Sequence, residues 1–161
     1  MRPRLPLVML LLTIAAVPAT SRAQTRGRHL GPQVAYNFDA SAFGVGAQFS
    51  MPVAKELEFY PSFDFFFVSP GSVIALNADL KYRLADEGIN WAYVGAGLDL
   101  QRASAGGAAM TTAGVNLFAG IESMKGSFHP FGEARLTIGD GSTAQIAGGL
   151  NFTIGRPLTR S

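Results

Sequence analysis

Residues 42–51 read AFGVGAQFSM, and their alternation decides the fold. Phe43, Val45, Ala47, Phe49 and Met51 take every second position, with Gly44, Gly46, Gln48 and Ser50 between them. Successive side chains of an extended chain point to opposite faces, so an apolar residue at every second position marks a β-strand with one apolar face. A helix, with about 3.6 residues per turn, would scatter the same residues around its circumference.

Outward from this stretch the pattern recurs. Before it, 29–38 sets Val34, Tyr36 and Phe38 on one face. After it, 57–67 places Leu57, Phe59, Phe63, Phe65 and Phe67 opposite Glu58, Tyr60, Ser62 and Asp64. Residues 73–84 set Leu76, Ala78, Leu80, Tyr82 and Leu84 against Asn77, Asp79, Lys81 and Arg83. Four more segments follow, at 91–102, 111–122, 128–139 and 144–154. In these, Val94, Leu98, Val115, Leu117, Leu136, Ile146 and Leu150 oppose residues such as Asp99, Asn116, Glu122, Glu133, Arg135 and Asn151. Turn-forming clusters separate the segments, among them Asp39-Ala40-Ser41, Ser69-Pro70-Gly71-Ser72, Asp86-Glu87-Gly88 and Asp140-Gly141-Ser142. Eight evenly spaced segments with short turns predict an up-and-down barrel or a sandwich. Each is near the length of about 9–11 residues that a tilted strand needs to cross a bilayer.

The start of the chain reads differently. Arg2 and Arg4 precede the apolar run 5–17, and small residues follow, with Ser21 and Ala23 placed for cleavage after Ala23. That order is the one of a secretory signal. The expected division is a signal peptide at 1–23 and a single domain at 24–161. The chain has 13 Lys+Arg and 11 Asp+Glu; removing Arg2, Arg4 and Arg22 leaves ten bases against eleven acids. No basic patch remains to hold nucleic acid. Cysteine is absent, which excludes disulfides and thiol chemistry. Charged residues make up 15% of the chain, against about 25% in ordinary soluble domains. With no apolar run of about 18 residues after the signal, membrane crossing would have to use strands.

Three features turn the apolar face toward lipid. The polar face is rich in glycine, with Gly44, Gly46, Gly95, Gly97, Gly114, Gly120 and Gly149. Glycine weakens a strand exposed to water, but small residues among large ones suit a confined lumen. The polar face also carries both signs of charge: Glu58, Asp64, Asp79, Asp99, Glu122 and Glu133 with Lys81, Arg83 and Arg135. Buried charges need such partners, so these nine are expected to form a polar network that fills the lumen. Finally, Tyr36, Phe38, Phe43, Phe65 and Phe67 gather toward one rim, and Phe49, Phe59, Tyr82, Trp91, Tyr93, Phe128 and Phe152 toward the other. Paired aromatic girdles are a feature of membrane barrels. Phe63 completes the lipid-facing set, while Phe66, Phe118 and Phe131 fall on the inward parity, as interior plugs or as bulges.

On these residues the chain resembles the small eight-stranded outer-membrane proteins, the OmpA-like and opacity-type β-barrel superfamily. The resemblance spans 29–154 and includes an insertion signal on the last segment, where Gly149, Phe152 and Ile154 match the pattern of a glycine followed by alternating apolar residues. Ala147 stands where that signal usually opens with a polar residue, and seven residues follow Ile154. The resemblance implies a closed, all-β, antiparallel transmembrane barrel in a bacterial outer membrane. Its implied partners are outer-membrane lipid and, during biogenesis, the insertion machinery, and a monomer is expected.

Sites for chemistry are sparse. Some barrels of this size modify lipid A and need a histidine, a serine and a carboxylate near the outer rim. The two histidines, His29 and His129, fall at the opposite, periplasmic side. No metal-ligand spacing and no phosphate-binding loop occurs, since Gly44/Gly46 and Gly95/Gly97 lie mid-strand. The outer loops are expected to be short, the longest at 103–110. A structural, non-enzymatic barrel without cofactor or metal, passing small solutes at most to a limited extent, is the expectation. The alternative is a soluble periplasmic barrel with its faces exchanged and an apolar ligand inside.

Overall fold

The computed structural model describes residues 27–87, 90–123 and 125–154, without the side chains of 85–87 and 90. The signal peptide expected at 1–23 and the tail from 155 lie outside the described residues. Eight strands form: β1 (Arg28–Asn37), β2 (Ala42–Pro52), β3 (Leu57–Phe67), β4 (Ser72–Glu87), β5 (Asn90–Ala105), β6 (Ala108–Ser123), β7 (Phe128–Gly139) and β8 (Thr143–Ile154). Each pairs antiparallel with its sequence neighbour, and β1 pairs with β8, so the sheet closes into a barrel. Closure removes the free edge strands that an open sheet would leave. At the closing seam Gln33 lies opposite Gly149 and Tyr36 opposite Ile146.

The turns follow local chemistry. Between β1 and β2, Ala40 donates its N–H to the Asn37 side chain (2.9 Å), and Ser41 takes a positive φ of 48°. Asp39 accepts a hydrogen bond from the Ala144 N–H (2.6 Å), which ties this turn to β8. Between β5 and β6 the whole connection is Gly106-Gly107, with φ of 58° and 84°. Two successive positive φ values make the two-residue turn whose twist matches a hairpin, and glycine adopts it without strain.

This hairpin corrects one expectation. Residues 103–110 are not a loop: β5 and β6 continue through Ala103↔Met110, Ser104↔Ala109 and Ala105↔Ala108 to the glycine pair. The wall is also uneven, because β6 meets β7 only from Gly114↔Gly139 onward and the tip of the hairpin stands above its β7 side. β4 likewise runs further than expected, to Glu87, with a bulge between Arg83 and Asp86.

Burial alternates along the strands, and the apolar parity is the outer one. Phe43 is 70% exposed and Ile121 63%, and Val34, Phe67, Leu76, Leu117 and Leu136 are exposed with them. The buried residues are mostly polar: Gln33, Gln48, Asp64, Asn77, Asp79, Asn116 and Asn151 all point inward. Phe59 and Phe63 lie on the outer face, so the exchanged-face arrangement of a soluble ligand-binding barrel is not the one this chain adopts.

Candidate functional site

The interior is built in layers. At the end that carries Arg28 and Ile154, here the terminal end, Glu58 from β3, Lys81 and Arg83 from β4 and Glu122 from β6 meet inside the barrel. Lys81 Nζ lies 3.3 Å from Glu58 Oε2 and 3.2 Å from Glu122 Oε2, and Arg83 pairs with the other oxygen of Glu58. Asn151 donates to Glu122 Oε1 (2.8 Å) and accepts from Gln48 Nε2 (2.7 Å), which extends the network to β8 and β2. Nearest this end the His29 and His129 rings sit 5.1 Å apart, with His29 Nδ1 3.4 Å from Ser50 Oγ and His129 Nε2 3.0 Å from Thr153 Oγ1.

Above this layer stand aromatic rings. Tyr60 and Tyr93 each pack on Phe118, with centroids 5.7 and 6.3 Å apart. The Lys81 ammonium lies 4.5 Å from the Tyr60 ring centre and 4.9 Å from that of Tyr93, and the Arg135 guanidinium lies 4.7 Å from that of Phe118. A cation over a ring face is attracted by its negative quadrupole, the more so where water is excluded. The rings thus support one cation from below and another from above.

The second ionic layer centres on Arg135 of β7. Its Nη1 bonds Asp79 Oδ2 (2.7 Å), and its Nη2 and Nε bond Glu133 Oε1 (2.9 and 3.1 Å). Tyr93 donates its hydroxyl to the other oxygen of Glu133 (3.1 Å). A relay of Thr137, Asn116 and Asn77 runs across the lumen: Thr137 Oγ1 donates to Asn116 (2.8 Å), Asn116 donates to Asn77 (2.7 Å) and Asp79 (3.0 Å), and Asn77 donates to Ser62 (3.0 Å). Asp64 accepts from Gln33 Nε2 (2.6 Å), while its second oxygen has no hydrogen-bond partner. Asp99 of β5 is buried beside this layer, directly opposite Asn77 of β4.

The far end of the lumen is not polar, which corrects the expectation of a polar interior throughout. Ala35, Ala42, Phe66 and Ala75 form a buried apolar cluster, with Val68, Val73 and Ala147 packed against it. Phe66 and Phe118 are interior plugs in regular strands rather than bulges, and Phe131 is buried with them. Each of the three faces a glycine directly across its ladder: Phe66 opposite Gly44, Phe118 opposite Gly95 and Phe131 opposite Gly149. A Cβ at Gly44 would stand 2.6 Å from the Phe66 ring, so the glycine is the space into which the ring folds.

All nine inward charges named from the sequence are buried; seven of them form the two ionic layers, and Asp64 and Asp99 pair with none of the three cations at salt-bridge distance. The alternation of inward positions also holds Tyr60, Asn77, Asn116, Gln33, Gln48 and Asn151, which the reading for charge passed over. Of the girdle residues, Phe38, Phe43 and Phe67 lie exposed at the far rim with Tyr36 and Phe65 packed beside them. Phe49, Phe59 and Tyr82 lie on the outer parity nearer the terminal end, where Phe152 makes an edge contact with Phe128 at 5.3 Å. Tyr93 does not belong with them, because it is buried in the aromatic layer, and Trp91 stacks under the Arg83 guanidinium at 4.0 Å. On β8, Gly149 faces inward while Phe152 and Ile154 face out. Among the described residues no group of three or more His, Cys, Asp or Glu is placed to hold a metal ion.

No family model matches the sequence, and no curated protein matches it. Solved structures match its shape. The N-terminal β-barrel domain of OprF from Pseudomonas aeruginosa aligns with a TM-score of 0.69 at 16% identity, over 80% of this chain and 97% of that domain. Neisserial surface protein A, NspA, aligns at 0.62 with 15% identity, over 79% and 94%. Ail, the attachment invasion locus protein of Yersinia pestis, aligns at 0.54 with 13% identity, over 78% and 97%. With an apolar exterior, a layered interior and eight strands closed in sequence order, this chain has the fold of the small eight-stranded outer-membrane β-barrels.

Proposed function

We propose that the protein is an outer-membrane barrel with a structural, non-enzymatic role, anchored by its outer face and closed by its contents. The observation that carries this reading is the inverted burial: aliphatic and aromatic side chains cover the outside while Lys81, Asp79 and Glu122 lie almost fully buried within. Water would drive those faces to exchange. A bilayer reverses the preference and admits strands only in a closed barrel, because every backbone polar group must be satisfied internally.

The interior favours a plug over a channel. Two ionic layers, an aromatic layer and an apolar cluster succeed one another along the axis. A solute passing through would have to part them. The histidines are poorly placed for acyl chemistry at the outer leaflet, since both lie at the terminal end and are buried. Export would follow cleavage after Ala23, and Gly149, Phe152 and Ile154 would present the insertion signal to the assembly machinery. Lipid would then be the main partner of the mature chain, as a monomer.

Fractionation of cells that produce the full chain tests the reading. The expected result is a protein that sediments with the outer membrane, resists alkaline carbonate, needs detergent for release and begins at Gln24. Recovery in the soluble periplasmic extract would contradict it.

A further inference from the structure

A cavity of about 300 Å³ opens at the far end of the barrel, between the β3–β4 turn and the tall β5–β6 hairpin. Val68, Pro70, Val73, Ala105, Ala108 and Met110 are among the residues that line it. Val68 and Val73 also pack on the cluster of Phe66, Ala35, Ala42 and Ala75, so the cavity stands on an apolar floor. No charged residue lines it, and its two polar residues are Ser72 and Ser104.

The strand pattern shows that this wall is not a chance opening. Along the body of the barrel the inward residues are polar and the outward ones apolar. At the level of Arg102 and Thr111, opposite each other on β5 and β6, the pattern reverses. From that level on, Ser72, Ile74, Arg102, Ser104, Ala109 and Thr111 share the outward parity, so that polar residues enter the outer face, while Val73, Ala103, Ala105, Ala108 and Met110 share the inward one and make it wholly apolar. A hairpin that stood in water with nothing against it would gain nothing from an apolar inner face, yet Met110 is 65% exposed there.

We propose that this cup is a binding site for a small, uncharged, apolar molecule that enters from the far side of the barrel. Size sets the occupant: pockets for small molecules begin at about 300 Å³, and no folded partner surface fits within that volume. The lining sets its chemistry, because alanine, valine and methionine side chains offer apolar contact to a compact hydrophobe and no charge to a polar ligand. Alanine side chains keep the wall thin, so the space remains open rather than being filled from within. The proposal goes beyond the anchoring role and rests on it only for the lipid that surrounds the barrel in the test.

Titration of the whole protein with benzene tests the site. The protein is folded into lipid nanodiscs, with alanine, valine and methionine methyl groups labelled for NMR. Saturable shifts are expected at Met110, Ala105, Ala108 and Val73, while lipid-facing Val94 and Val115 drift in proportion to the benzene that enters the lipid. Ala108→Phe fills the cup and should weaken saturable binding about tenfold or more, equivalent to ~1.4 kcal/mol. Ala105→Phe serves as a second filling variant, and the wild-type titration decides the matter if neither variant folds. Drift without saturation at the cup methyls, or saturation that survives both substitutions, would overturn the proposal. So would concentration-dependent shielding of Met110 without benzene, which would make a second copy of the chain the occupant.

Discussion

Arg135 holds two carboxylates at once, Asp79 and Glu133, while resting on the Phe118 ring. Its removal would leave both acids buried without their cation, and breaking a buried pair from one side costs about 3–5 kcal/mol. Arg135→Ala should therefore lower the unfolding midpoint sharply in urea titrations of the detergent- or vesicle-folded protein. Asp64 offers the contrast. It accepts from Gln33 but pairs with no cation at salt-bridge distance, so its negative charge contributes little in return for its burial. Asp64→Asn keeps the shape and an acceptor for Gln33 while removing the charge. The same titration should find it within about 1 kcal/mol of the parent, or more stable. An Asn variant as damaging as the Arg135 variant would show that the Asp64 charge is needed where it lies. At this scale the sequence is only partly legible. The alternation in 73–84 identifies Asp79 and Lys81 as residues of one face, because a period of two is a local property. That Arg135, 56 residues away, bonds Asp79 depends on the stagger of four strands around a closed ring, which no local pattern carries.

The strands themselves are readable, and the reason is physical. Segments 57–67 and 128–139 alternate large apolar residues with polar ones, and their observed bounds coincide with the expected ones. The tip of β5–β6 does not announce itself, because Ala103, Ala105, Ala108 and Ala109 are neither polar nor large and leave the alternation without contrast. Its fixed point is the Gly106-Gly107 turn. An L-residue forced into the left-handed region costs about 1–2 kcal/mol. Gly106→Val with Gly107→Val should fray the hairpin tip, seen as faster amide exchange at 103–110, with the lower strands still protected. Uniform loss of protection through all eight strands would contradict the assignment of these residues to a separable tip. The glycines inside the barrel make a different demand. A Cβ at Gly95 would collide with both the Phe118 ring and the Leu80 carbonyl, so Gly95→Ala should destabilise by about 1–3 kcal/mol, the range for overpacking. Trimming the ring with Phe118→Leu should recover part of that loss in a double-mutant cycle, and strict additivity of the two substitutions would argue against the contact.

For the molecule as a whole, closure and filling have separate consequences. Filling predicts a silent barrel: in planar bilayers the folded protein should give no steady ohmic conductance above that of the bare membrane, and a stable open level would show that the layers around Lys81 and Arg135 part readily. Closure binds all eight strands into one hydrogen-bonded ring, which detergent alone seldom opens, and so bears directly on the central claim. The decisive measurement compares unboiled and boiled outer-membrane fractions on a detergent gel. A compact unboiled band that migrates ahead of the boiled one is the expected result, because the closed barrel stays folded in detergent until heat opens it. Identical migration of the two samples, with the protein found in the soluble periplasmic extract, would contradict a membrane-embedded barrel.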